Sequence, residues 1–180
     1  SYDAGRMMGN LGSTYHLLDT ALKPHACPHF MQAALDAIDN LRDKQPLTGD
    51  DIASITVYAS EAVLNHVCAI TEPNDVLSAQ FSLPFSLAMR LKHGGRGVHG
   101  GNGFWDYPKV DVRDPLLVET ARKIKRYDAG KPAHVKVDQG IGLEVETTSG
   151  QRLVEIVPHS RGLAENPMTA DEVKEKFMSL

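Results

Sequence analysis

Cysteine is nearly absent. The 180 residues hold only Cys27 and Cys68, and the two form no C-x-x-C pair. A disulfide scaffold is excluded, and the two thiols read as the reduced cysteines of a cytosolic protein. Aromatics are sparse at 6%, and no basic block interleaves with them. Acidic side chains outnumber basic ones, 23 to 19, for a net charge of −4. Nucleic acid is therefore not expected as a partner. No apolar run approaches the roughly 20 residues that a bilayer-spanning helix needs, so no membrane partner is expected either. No basic-then-apolar leader opens the chain, which argues against export. The first residue is Ser1 rather than Met, which reads as a piece trimmed from a longer protein. The sequence also lacks a G-x-S-x-G elbow, an H-E-x-x-H helix and a P-loop.

What remains is ordinary globular material, 42% hydrophobic and 23% charged. A chain of this length suits one domain, residues 1–180, with a sizeable core. Residues 1–22 are mixed, with Leu11, Leu17, Leu18 and Leu22 as scattered apolar anchors. From Pro28 to Lys44, Phe30, Ala34, Ala37, Ile38 and Leu41 recur at helical spacing. Ser54 to Ala59 alternates as a half-buried strand does. A short helix follows over Glu61 to Ile70, with Val63, Val67 and Ile70 on one stripe. Asn74 or Asp75 caps the next. Pro84 forces a break and a fresh start near Ser82, and that helix runs to Gly94-Gly95. Asp114-Pro115 opens another, with Leu117, Ala121 and Ile124 buried. Three strands are then predicted, His134 to Asp138, Leu143 to Thr147 and Arg152 to Val157, with Ser149-Gly150 turning the last hairpin. Thr169 to Glu172 is a capping box opening a final helix through Phe177. The last three strands lie too close together for helical crossovers, so they pair mostly antiparallel. The expected fold class is α+β, a two-layer sandwich with helices on one face of the sheet.

Residues 93–105 carry six of the fifteen glycines, and Gly95 to Gly100 matches G-x-G-x-x-G. A phosphate-binding version must follow a strand and open a helix, so that amides and dipole face the anion. Here the glycines follow a helix and lead into Asn102 to Pro108, which cannot be helical. The match is a coincidence. Two readings remain, a mobile surface loop anchored by Phe104 and Trp105, or a gate over a site.

Few groups stand out chemically. His25, Cys27 and His29 are competent zinc ligands within five residues, but no fourth ligand cluster exists and Pro28 spoils the helical face, so no metal is expected. Lys23 lies just ahead of a helix N-terminus, where a cation and exposed amides together favour a carboxylate. A solvated surface charge is the competing reading, and the same pair applies to Arg161. His66, on the apolar stripe of its helix, reads as a half-buried histidine with satisfied nitrogens. The paired Asp50-Asp51 looks solvated.

Three stretches in order resemble one family. Leu17 to Cys27, followed by Ala33 to Ala37, resembles a Lys-Pro-Tyr-Pro-x-Cys segment. Ala79-Gln80-Phe81-Ser82-Leu83-Pro84-Phe85 is similar to an Ala-Gln-Phe-Ser-Leu-Pro-Tyr motif. Arg161-Gly162, Asn166-Pro167-Met168-Thr169 and Lys176-Phe177 resemble its Arg-Gly, Asn-Pro-Leu-Ser and Lys-Phe ending. This is the MmgE/PrpD family of 2-methylcitrate dehydratase, cis-aconitate decarboxylase and iminodisuccinate epimerase. The resemblance implies the smaller α+β lid of such enzymes, without their large helical domain. It implies a cytoplasmic, cofactor-independent homodimer acting on a small di- or tricarboxylate, most simply a dehydratase-type lyase of propionate metabolism; the alternatives are an epimerase or decarboxylase of the same family, or a non-catalytic module for dimer contact or ligand closure. The site would lie between lid and helical domain. By the same resemblance Lys23 and His29 are the catalytic candidates, and Lys23, His25 and Arg161 the substrate-binding ones. Two departures are evident. Pro28 stands where the decarboxylase branch has a catalytic histidine, and Gln32 stands where another histidine is common.

Overall fold

The computed structural model describes residues 3, 5, 8–13, 15–137 and 140–180. Helix α1, His29–Lys44, is built on Met31, Ala34, Leu35, Ala37, Ile38 and Leu41, all buried at helical spacing. Arg42 and Lys44 in its last turn suit the negative end of the helix dipole. Strand β1, Ile52–Ala59, follows. Four short helices come next, α2 (Glu61–Val67), α3 (Val76–Gln80), α4 (Leu83–His93) and α5 (Asp106–Lys109). Ser60, Asp75 and Ser82 cap the first three of these through their side-chain oxygens. Helix α4 stops where Gly94 turns left-handed at φ 75°. Helix α6, Pro115–Arg122, is capped by Asp114. Strands β2 (Ile124–Asp128), β3 (Ile141–Thr147) and β4 (Arg152–Val157) lead to helix α7, Ala170–Met178, opened by the Thr169–Glu172 capping box.

The sheet order is β2-β1-β3-β4. Both β1–β3 and β3–β4 are antiparallel, but β1 and β2 run parallel, with Ile55 opposite Ile124. The fold is α+β as expected, with a mixed sheet. A parallel neighbour needs a long crossover, and the helices between β1 and β2 provide one. Ile55, Val57, Leu143 and Val145 face the helices and are sealed by Ile38, Leu41, Leu87 and Leu91. Asn40 and Lys44 of α1 donate to Glu155 of β4, at 2.9 and 2.6 Å, tying the helix layer to the sheet edge.

Several expectations need correction. The stretch Asn102 to Pro108 is not helix-free, because Asp106–Lys109 forms the one-turn helix α5, with Pro108 in its first turn where no amide donor is needed. Ile124 does not continue α6, because it sits in β2, where a strand residue happens to fall in step with Leu117 and Ala121. Residues 134–137 form no strand, and Asp138 lies outside the described residues. Their alternation is real, since Val135 is buried and Val137 packs on Gly142. The segment instead lies across the outer face of the sheet, where Tyr127 donates to the Pro132 carbonyl at 2.7 Å. Leu11, Leu17 and Leu22 are exposed rather than anchoring, and the Leu18 side chain lies outside the described residues. Among the described residues no helix is long and apolar enough to cross a membrane.

Candidate functional site

Between Lys23 and α1 the chain makes a tight turn with no regular structure of its own, so its backbone groups need outside partners. They all find them. The Pro24 carbonyl accepts from Lys176 Nζ at 3.4 Å, and the Ala26 carbonyl from Gln80 Nε2 at 3.0 Å. The Cys27 carbonyl accepts from Lys23 Nζ at 3.2 Å, and that of Pro28 from the Met31 amide at 3.0 Å. Gln32, wholly buried in the first turns of α1, takes the His25 amide on Oε1 at 3.1 Å. It shares its amide hydrogens between the His25 and Cys27 carbonyls at 3.3 and 3.2 Å. The Ala26 amide donates to the Asn102 carbonyl at 2.9 Å. Elements α1, α3, α7 and the glycine loop thus converge on five residues. Such a turn is preorganised, and side chains on it hold their places without reordering.

The glycine loop earns its place through burial. Arg90 of α4 is fully buried and donates Nε to Asp39 at 3.0 Å and Nη2 to the second carboxylate oxygen. Its Nη1 reaches the Gly97 carbonyl at 2.9 Å, and the Gly97 amide returns to Asp39 at 3.1 Å. A side chain at Gly100 would overlap the guanidinium, at 1.7 Å. Asn102, also buried, donates to the Ser86 carbonyl at 3.1 Å and approaches Tyr107 Oη at 3.3 Å. The glycines are there to let backbone pass over a buried arginine, after a helix and not after a strand. Phe104 and Trp105 do not anchor the loop. They are half exposed, packed edge to face, and Trp105 Nε1 donates to the Leu180 carbonyl at 2.7 Å.

The four residues singled out from sequence fall in different places. Lys23 is exposed, with its ammonium held to the turn. His29 is exposed at the start of α1 and lines a cleft of about 750 Å³ with Phe30, Ser60, Asp128 and Ser160. His25 and Arg161 line a different cleft, of about 510 Å³, together with Asp36, Asp39, Glu172 and Glu175. Lys23 lines neither cleft; it stands on the turn where they approach. His25 is buried, and neither ring nitrogen has a hydrogen-bond partner. Burial pulls its pKa below the ordinary 6.5; the Asp36 carboxylate, 3.9 Å away, opposes this only in part. Arg161 donates to both oxygens of Glu172, Nε at 3.0 and 3.1 Å, and Nη1 to Asn166 at 2.9 Å. That pairing holds the Glu172 carboxyl down at about 2. His66 is exposed and sits edge-on between Phe30 and Phe81, not in the core. Burial pushes the Cys27 thiol up to about 12, which makes it inert. Among the described residues no three His, Cys, Asp or Glu side chains are grouped to hold a metal ion.

Sequence reasoning missed Gln32, Gln80, Asn102 and Lys176 as parts of this site. Gln32 stood out only as a departure from a family histidine, and Gln80 only as a letter in a motif. Gly162 also belongs to the site. Its amide donates to the Asn166 carbonyl at 2.8 Å while its carbonyl accepts from the Leu22 amide at 2.9 Å, with φ at 96°. A methyl group there would stand 1.7 Å from the Leu22 carbonyl oxygen. Gly162→Ala should cost about 2 kcal/mol or more from backbone strain and displacement. Denaturant unfolding and hydrogen exchange at the Leu22 amide check this, and unchanged exchange there would contradict it.

A model of the MmgE/PrpD C-terminal domain matches residues 25–180. The chain belongs to this family. The match begins at His25, so Lys23 and Pro24 lie just before it. A search of curated proteins returns no match. For this MmgE/PrpD C-terminal domain the resembling stretches prove to be neighbours in space, since Gln80, Lys176 and Gly162 all bind the Leu22–Cys27 segment.

Proposed function

We propose that the chain is the lid of a cofactor-independent lyase of the 2-methylcitrate dehydratase type, acting on a small di- or tricarboxylate. The observation that carries this reading is the clamped turn, which holds Lys23 Nζ on the Cys27 carbonyl at 3.2 Å, two residues ahead of the exposed His29. Among the described residues no carboxylate pairs with Lys23. In this reading a helical domain of the same protein covers the turn and completes the site, in a cytoplasmic homodimer. Lys23 holds a substrate carboxylate and stabilises the negative charge that builds up when the neighbouring C–H bond gives up its proton. His29 takes that proton and delivers it to the departing hydroxyl, so that the C–O bond breaks and water leaves. Pro28, in place of the histidine of the decarboxylase branch, favours dehydration or epimerisation over decarboxylation.

The test uses the protein that joins this chain to its helical domain. Unsaturated acid should form from 2-methylcitrate or citrate, and Lys23→Ala should lower kcat/KM by about 10²–10³-fold. Full turnover by that variant would remove the assignment. The isolated 180-residue chain should show no turnover.

A further inference from the structure

Lys176 is a second ammonium at the turn with no carboxylate partner among the described residues. It projects from α7, half-buried, and donates to the Pro24 carbonyl at 3.4 Å, while Lys23 donates to the Cys27 carbonyl at 3.2 Å. Two ammonium groups thus bracket the turn, on its Pro24 and Cys27 carbonyls. Among the described residues neither forms an ion pair, although α7 is rich in carboxylates. Glu172 is committed to Arg161 and to its own cap, and Glu175 lines the 510 Å³ cleft. Burial and the nearby Lys23 charge lower the Lys176 pKa. Like charges held together by neutral carbonyls form an unfavourable arrangement that a bound anion relieves.

We infer that Lys176 is the second cationic contact of the Lys23 site, so that the turn reads two carboxylates of one ligand rather than one. This rests on the reading of Lys23 as a carboxylate contact and adds to it. Each ammonium spends one of its three donors on the turn and keeps two for ligand oxygens. A monoanion leaves one cation uncompensated, whereas a dianion neutralises both. Lys176 also brings α7 into the site. That helix has no buried residue, and its side-chain links to the rest of the chain include the Arg161–Glu172 pair and Lys176. A dianion bridging Lys23 and Lys176 therefore fastens α7 to the rest of the chain.

The experiment is titration of the 180-residue chain, with Lys side chains labelled at Nζ, by succinate and by butyrate, acids of equal length. In the wild type, succinate should move both the Lys23 and Lys176 ammonium signals, bind at least 10-fold tighter than butyrate, and slow hydrogen exchange across 170–178. Lys176→Gln should reduce succinate binding to the butyrate level and abolish the slowed exchange, while Lys176→Arg retains both. If Lys176→Gln fails to fold, the wild-type ratio of succinate to butyrate decides alone. Equal affinities, or succinate shifts confined to Lys23, overturn the two-lysine site and leave the Lys23 assignment standing. No shift at either lysine overturns both.

Discussion

Arg90→Ala should destabilise the chain by about 3–5 kcal/mol, because removing one member of a buried ion pair leaves the other uncompensated. The guanidinium is wholly buried, and Asp39, its partner through two hydrogen bonds, is itself buried. Arg42, 3.9 Å from Asp39, softens the loss without replacing the geometry. The Gly97 carbonyl loses its donor too, so the glycine loop should open before the rest unfolds. Guanidinium denaturation gives the free energy, and hydrogen exchange across 95–103 gives the local effect. Replacing both partners by apolar residues, Arg90→Met with Asp39→Leu, should recover much of the stability, since no buried charge is then left alone. Arg90→Ala within 1 kcal/mol of wild type would show that the loop is held by something else.

Acid should unfold the chain unusually early, and His25 is the reason. Its folded pKa lies below the ordinary 6.5, first because of burial and then because of the Arg90 charge; Asp36 and Asp39 pull the other way. The unfolded chain therefore binds the proton that the folded chain refuses, and stability must rise with pH across that window. Stability is complete above about 6.5 and falls by up to about 1.4 kcal/mol per pH unit below it, until the folded-state pKa is reached. The depressed carboxyl of Glu172 acts in the same direction but only below its ordinary value of 4.5. Between pH 6.5 and 5 the slope thus isolates the imidazole. His25→Leu should flatten that slope in urea unfolding measured across the range, with little loss at pH 7.5, because neither ring nitrogen makes a hydrogen bond. An unchanged slope in the variant would place the acid sensitivity elsewhere.

The helices were legible in the sequence because their signals are local. Ser60, Asp75, Ser82, Asp114 and Thr169 each cap where a short polar side chain precedes an apolar period. The sheet was legible only in part. Alternation at 134–137 is equally compatible with pairing and with lying flat across a sheet face, and only the contacts of Val135 and Val137 decide. The parallel β2 was hidden because Ile124 continues the helical period of α6. For the site, the residues that carry charge were visible, but those that hold the turn were not. Gln32 and Gln80 act through amide groups on backbone carbonyls, and no spacing rule marks an amide that clamps a turn seven or 54 residues away. The glycine loop misled in the opposite direction, since its spacing mimics a nucleotide motif while its purpose is to pass over Arg90.

What the ammonium of Lys23 faces in a protein that joins this chain to the proposed helical domain decides the assignment. A crystal structure of that protein with a bound tricarboxylate measures it directly. The turn should be unchanged from Pro24 to Pro28, with Lys23 Nζ about 2.8 Å from a ligand carboxylate oxygen. A ligand bound elsewhere, with the Lys23 side chain pointing into solvent, would contradict it.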